Sequence, residues 1–305
     1  MLSFSTIPTG MSDQSGMLLK SLKAGDLRAF ARFLSLLERE GPAALGRYPD
    51  LMKPEKPCFR FGITGPPGAG KSTLVGQLIA RFRAQNLKVG VLAVDPSSPF
   101  TKGAILGDRI RYTEHFVDPG VFIRSVGTRG SVGGLSASSF LMVRAFDLAG
   151  FDIVLLETVG VGQTELEIMH VADCVSVTLV PESGDSIQGM KAGLLEIADL
   201  FIVNKSDRPG ADAFVRELEA ALHLDPHAEV KPIVKTAAVN GMGLDELASK
   251  ILALRSSDDW KNARAGVDRL RSEAQSLLRM QAEREIEERV QSVKSTGDFT
   301  NLFKD

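Results

Sequence analysis

The sequence predicts an α/β fold: a mostly parallel sheet flanked by helices, with a helical segment ahead of it and a helical arm behind. Three observations carry that prediction. Residues 65–73 read Gly-Pro-Pro-Gly-Ala-Gly-Lys-Ser-Thr and fit the pattern G-x-x-x-x-G-K-[ST]. Short apolar runs recur along the chain, separated by stretches with helical spacing. Several of those runs end in a carboxylate, and one ends in Asn-Lys-x-Asp. Ligands of open α/β sheets bind beyond the C-terminal strand ends, so these polar ends should share one cavity. Together they describe a P-loop NTPase.

The first pattern has the context it needs. Residues 59–64 read as a short strand, and residues 73–82 place apolar side chains at helical spacing, so the loop leaves a strand and opens a helix. The glycines Gly65, Gly68 and Gly70 let the backbone curl until successive N–H groups point at phosphate oxygens, with Pro67 and Ala69 between them in the loop. Lys71 brings a point charge to the β- and γ-phosphates, Ser72 offers a hydroxyl to magnesium, and Thr73 completes the motif. A nucleoside triphosphate is the expected ligand.

Ahead of that loop, apolar positions from Leu18 to Leu37 predict two helices broken near Gly25 and Asp26, and the proline-bearing stretch 49–57 reads as a connector. Behind it, residues 89–95 read as a buried parallel strand that ends in Asp95. The turn-rich segment 96–108 reads as a switch loop ending in Asp108. Both carboxylates are candidate magnesium ligands, with a turn former and a helix cap as their plainer readings. Residues 121–126 form the next strand, followed by a Gly-rich turn and a helix over 136–149. The apolar run 151–157 then delivers Glu157 to the mouth of the sheet. Gly160 stands three residues on, where a backbone N–H can bond a γ-phosphate only while that group is present, and residues 161–165, including Gln163, should respond to its loss. Glu157 should hold magnesium through water or orient the attacking water.

A strand over 175–180 precedes a polar segment at 181–191, and the strand 199–203 ends in Asn204, Lys205, Ser206 and Asp207. This N-K-x-D names the base. A carboxylate only accepts hydrogen bonds, and guanine presents a ring N–H beside an amino group where adenine presents a ring acceptor. Asp207 therefore selects guanine, and Thr236, Ala237 and Ala238 should line the base pocket through backbone groups. Lys71, Glu157 and Asp95 are the expected catalytic groups, and Ser72, Asp95, Asp108 and Glu157 the expected metal set. His115, His170, His223 and His227 read as surface residues. From residue 258 onward, apolar positions on a charged background predict one long amphipathic helix or two.

These elements divide the chain into an N-terminal helical extension (1–55), a P-loop GTPase domain (56–255) and a C-terminal helical arm (256–305) that either packs back on the domain or, as the favoured expectation, pairs with a second copy. The 305 residues carry 44% apolar side chains, enough for a sizeable core, and a formal net charge of -2 that gives no electrostatic case for nucleic acid or anionic membrane. No apolar run is long enough to span a bilayer, and residues 1–19 lack Lys and Arg, so no targeting segment is indicated and the cytoplasm is the default. The two cysteines, Cys58 and Cys174, lie far apart without a C-x-x-C, which argues against a disulfide scaffold or a thiolate metal site.

Taken together, the phosphate loop, V-D-P-S-S-P with I-L-G-D, E-T-V-G-V-G-Q-T-E at 157–165, G-D-x-x-Q-G-x-K at 184–191 and N-K-x-D resemble the MeaB/ArgK family of SIMIBI-class GTPases. The E-T-V-G-x-G-Q segment is the specific element; the first and last motifs occur across many GTPases. The resemblance implies a homodimeric GTPase that uses GTP and magnesium, releases GDP, and acts as a chaperone for an adenosylcobalamin-dependent acyl-CoA mutase, gating cofactor loading. It also implies that Gln188 and Lys191 belong to a switch that answers the mutase. A metallochaperone GTPase and a nucleotide-dependent kinase linked to amino-acid transport are the alternative functions.

Overall fold

The computed structural model describes residues 13–95, 112–127, 137–158, 164–181, 192–223, 231–257 and 259–295. Asp108, Gly160, Gln163, Gln188, Lys191 and His227 lie outside them, as does the side chain of Asp95.

Seven strands form one sheet: β1 (Phe59–Thr64), β2 (Val89–Asp95), β3 (Val121–Gly127), β4 (Ile153–Thr158), β5 (Cys174–Leu179), β6 (Leu200–Val203) and β7 (Ile233–Lys235). Their order is β3-β2-β4-β1-β5-β6-β7, and every pairing is parallel. After β1 the chain builds one side of the sheet, returns with β4 beside β1, then crosses to build the other side from β5. The loop after β1 thus sits where the connections diverge, the usual place for a ligand in a doubly wound sheet.

The strands are apolar almost throughout because both faces are covered. Alternate residues serve opposite cores: Leu92, Val94, Val154 and Leu156 belong to one cluster, and Val91, Ile153, Leu155, Phe61 and Ile63 to the other. The first cluster is roofed by α1 (Asp13–Lys23), α2 (Leu27–Glu40) and α5 (Ala137–Leu148), through residues such as Leu22, Phe30, Phe33, Leu37 and Phe146. A short α3 (Ala43–Arg47) and a 3-10 turn at Pro49–Met52 link these helices to β1. The predicted break between α1 and α2 is present. Gly25 takes φ +88°, and the Asp26 carboxylate caps α2 by accepting from the backbone N–H groups of Arg28 and Ala29 at 2.8 and 3.1 Å. Rather than a loose connector, the 3-10 turn buries Leu51 in this same core.

The opposite face carries α4 (Lys71–Ala84) and α9 (Leu244–Ser256), with Trp260 at its margin. A third cluster, around Phe201 and Val203, packs β5 and β6 beneath α7 (Ala192–Ile197) and α8 (Ala211–Leu222). The helix α6 (Thr164–Val171) lies next to β1 and β4. At the C-terminus stand two helices, α10 (Asp259–Ala265) and α11 (Val267–Ser292). Leu277 and Glu273 of α11 are buried on the domain, and Arg144 of α5 grips Glu273 through two hydrogen bonds of 2.5 and 2.7 Å. Val267, Leu270, Leu278, Ile286 and Val290 are exposed. The stripe read from the sequence is therefore split, with Leu277 turned inward and its neighbour Leu278 outward. No helix among the described residues is long and apolar enough to cross a membrane.

Candidate functional site

The phosphate loop begins where the sheet leaves no room for a side chain. Gly65 has φ +133°, and a Cβ there would lie 2.2 Å from the carbonyl oxygen of Thr178 on β5. Gly70, at φ +86°, turns the chain into α4. The loop so formed arches over the N-terminus of a fourteen-residue helix, whose unpaired N–H groups and dipole favour an anion.

Lys71 and Ser72 occupy the first turn of α4, and both side chains bend toward the sheet. The Lys71 ammonium, 6% exposed, donates to the carbonyl oxygens of Gly65 at 2.7 Å and Pro66 at 2.9 Å. The Ser72 hydroxyl donates to Glu157 Oε1 at 2.6 Å. Register explains the second contact. Glu157 on β4 pairs with Ile63 of β1 on one side and Ala93 of β2 on the other, just below the phosphate loop. Its other oxygen, Oε2, accepts from the hydroxyl of Tyr112, which is fully buried. One residue on, Thr158 donates to Thr64 at 2.9 Å and ties the ends of β4 and β1 together. A cavity of about 430 Å³ opens here, lined by Pro67, Gly68, Gly70, Lys71, Ser72, Thr73, Ala93, Val94, Glu157 and Thr158.

Asn204, at the end of β6, connects this cavity to the segment after β7 expected from the sequence to line a base pocket. Its side-chain amide donates to the carbonyl of Ala69 in the phosphate loop at 2.8 Å. Its Oδ1 accepts from the Thr236 hydroxyl and the Ala238 backbone N–H, each at 3.1 Å. Ser206 donates through backbone N–H and hydroxyl to the Thr236 carbonyl at 2.9 and 2.8 Å. Lys205 adopts a positive φ of +56°, which turns the chain and leaves Asp207 exposed. Thr236 and Ala238 therefore brace Asn204, and Ala237 donates its N–H to the Met242 carbonyl at 3.0 Å.

The structure brings Pro67, Gly68, Gly70, Lys71, Ser72, Thr73 and Glu157 around one cavity, and joins Gly65, Ala69, Asn204, Thr236 and Ala238 to it through hydrogen bonds. Asp95 ends β2 directly after the lining residues Ala93 and Val94. Sequence reasoning missed Tyr112 and the Thr158–Thr64 pair, which carry no motif. It also read His115 as a surface residue, whereas the ring is half-buried with Nε2 3.0 Å from the Gly76 carbonyl of α4. Among the described residues, His170 and His223 are exposed.

Known proteins share this arrangement. Residues 30–295 match the family model described as methylmalonyl-CoA mutase-associated GTPase MeaB. A Pyrococcus horikoshii protein named as a GTPase is 48% identical over 239 residues, spanning 77% of this chain and 75% of its own length. The Escherichia coli GTPase ArgK is 36% identical over 303 residues, covering 94% of this chain and 88% of its own. Among solved structures, one titled LAO/AO transport system kinase superposes with a TM-score of 0.63 and 25% identity, over 96% of this chain and 98% of that one. On the motifs, their placement at the strand ends and these matches, the chain is a P-loop GTPase that takes guanine nucleotide and belongs to the MeaB family of methylmalonyl-CoA mutase-associated GTPases.

Proposed function

We propose that this GTPase works with magnesium as a chaperone of an adenosylcobalamin-dependent acyl-CoA mutase, its nucleotide state gating delivery of the cofactor. The observation that carries the magnesium half is the Ser72–Glu157 pair. Two hard oxygen donors lie 2.6 Å apart at the rim of the cavity, one on the helix that follows the phosphate loop and the other on the neighbouring strand. That donor set fits a small, oxygen-seeking divalent cation. Ser72 would hold the ion directly, Glu157 would hold it through water, and Asp95 and Asp108 are proposed to complete the set. Bound there, the ion would neutralise charge on the β- and γ-phosphate oxygens.

The chain's own residues do the rest. Lys71 leaves the carbonyls of Gly65 and Pro66 and moves to the terminal phosphates, where its charge is worth more than in water. Loop N–H groups and the first turn of α4 hold the same oxygens. Glu157 organises the water that attacks in line, and Gly160 senses the γ-phosphate, so that its departure releases the segment containing Gln163. Gln188 and Lys191 are proposed to answer the mutase, and the C-terminal arm to pair two copies. Membership of a family of methylmalonyl-CoA mutase-associated GTPases supports the choice of partner. A partner that is neither nucleic acid nor membrane accords with the net charge of -2.

The test is turnover of γ-labelled GTP with and without magnesium, and with and without a methylmalonyl-CoA mutase. Label should appear as inorganic phosphate, only with magnesium, and faster when the mutase is present. An unchanged rate with mutase removes the chaperone assignment. Label on protein, with ATP preferred, would favour the transport-linked kinase instead.

A further inference from the structure

We infer that Tyr112 is a positioning residue for the magnesium site, acting through Glu157; this rests on the magnesium reading above. A glutamate at a strand end can rotate its carboxylate plane, and each orientation presents different lone pairs to a cation. Here both oxygens are engaged, Oε1 by the Ser72 hydroxyl at 2.6 Å and Oε2 by the Tyr112 hydroxyl. The phenol fixes the plane, and Oε1 is thereby aimed at the serine that would carry the ion.

The phenol is itself well anchored. Tyr112 has no exposed surface, and its ring belongs to the apolar cluster beneath α4. It lies in a 3-10 turn that includes residues 112–115, and that turn is held to α4 by the His115 Nε2 contact with the Gly76 carbonyl at 3.0 Å. The helix that carries Ser72 therefore also anchors the turn that carries Tyr112, so the two groups flanking Glu157 are tied to the same helix. Partners of this outer kind fix the orientation of a metal-site carboxylate in advance, and their loss typically weakens metal affinity about 10- to 100-fold.

Tyr112→Phe keeps the ring and removes only the hydroxyl. The readout is the magnesium concentration that half-saturates the slowing of fluorescent GDP release from the full chain, measured beside nucleotide affinity in chelator. The variant should need about tenfold more magnesium. Its GDP affinity in chelator should stay within about twofold of the parent, well inside the effect sought. In a Glu157→Ala background the same substitution should change the magnesium requirement no further. Equal half-saturation in parent and variant overturns the proposal, and so does a full effect that persists without Glu157. Parent protein whose GDP release ignores magnesium would overturn the magnesium reading itself, a different outcome. If Tyr112→Phe does not fold, the parent chain labelled with 3-fluorotyrosine carries the test. It has two tyrosines, Tyr48 and Tyr112, and Tyr48→Phe assigns their fluorine resonances. The Tyr112 resonance should move as magnesium is added to the GDP complex, and one that stays in place refutes the role.

Discussion

Lys71 illustrates how a single side chain is pre-set by its surroundings. Its ammonium is almost wholly buried yet satisfied by the carbonyls of Gly65 and Pro66, so the loop keeps its arch around a cation that a phosphate can take over. Lys71→Ala should lower GTP turnover by at least about 100-fold while the far-ultraviolet circular dichroism stays unchanged, since a preorganised charge near the reacting phosphate is lost and no core residue is touched. Turnover within a few-fold of the parent would remove Lys71 from the site. Residues of this kind were legible in the sequence because the G-x-x-x-x-G-K-[ST] spacing states the chemistry outright. Tyr112 was not, because its role depends on Glu157, 45 residues further along the chain on β4, and on nothing in its own neighbourhood.

At the scale of elements, glycine separates two different demands. Gly210 and Gly243 both precede helices with positive φ, at +88° and +71°. A Cβ at Gly210 meets nothing within 4 Å, whereas one at Gly243 would lie 1.9 Å from the carbonyl of Lys235 on β7. Gly210→Ala should therefore cost only the left-handed backbone penalty, about 1 to 2 kcal/mol. Gly243→Ala should cost clearly more, because β7 and α9 must part. Urea unfolding of the two variants checks this, and equal losses would remove the close-approach argument. Strands and helices themselves were largely readable: β1 to β6 appear where apolar runs placed them, within a residue or two at most ends. The stripe on α11 was not, since adjacent Leu277 and Leu278 belong to opposite faces and only the packing of α5 decides which is buried.

For the molecule as a whole, a buried ionic network joins the strands' N-terminal ends to the C-terminal helices. Asp147 of α5 pairs with Arg60 of β1 and accepts from the backbone N–H and thiol of Cys58 at 2.7 and 2.9 Å. Arg264 of α10 pairs with Asp173, donates to the Cys58 carbonyl at 2.6 Å and lies 4.7 Å above the ring of Trp260. Burial pushes the Asp147 carboxyl up, but Arg60 and Arg264, with the bonds from Cys58, outweigh it and hold it below the ordinary carboxylate range. A lowered folded-state pKa contributes stability that is present above the unfolded value of about 4 and is lost as pH falls through the folded value. The fluorescence of Trp260, the single tryptophan, should therefore report stability that declines as pH drops below about 4. Asp147→Asn should cost about 3 to 5 kcal/mol at neutral pH by stranding Arg60, and should flatten that acid limb. A variant with the parent's acid profile would show that the network is not what titrates.

The sequence by itself determined the fold class, the phosphate loop and the family, because each is written in spacings of residue types whose chemistry does not depend on distant partners. Tertiary structure alone decided that Glu157 meets Ser72 and Tyr112, that Asn204 joins the phosphate and base loops, and that charges from β1, α5 and α10 are buried together. Those outcomes depend on parallel register and on which helix covers which face, and a one-residue slip in the pairing of β1 or β4 would turn Arg60 or Glu157 to the opposite face of the sheet.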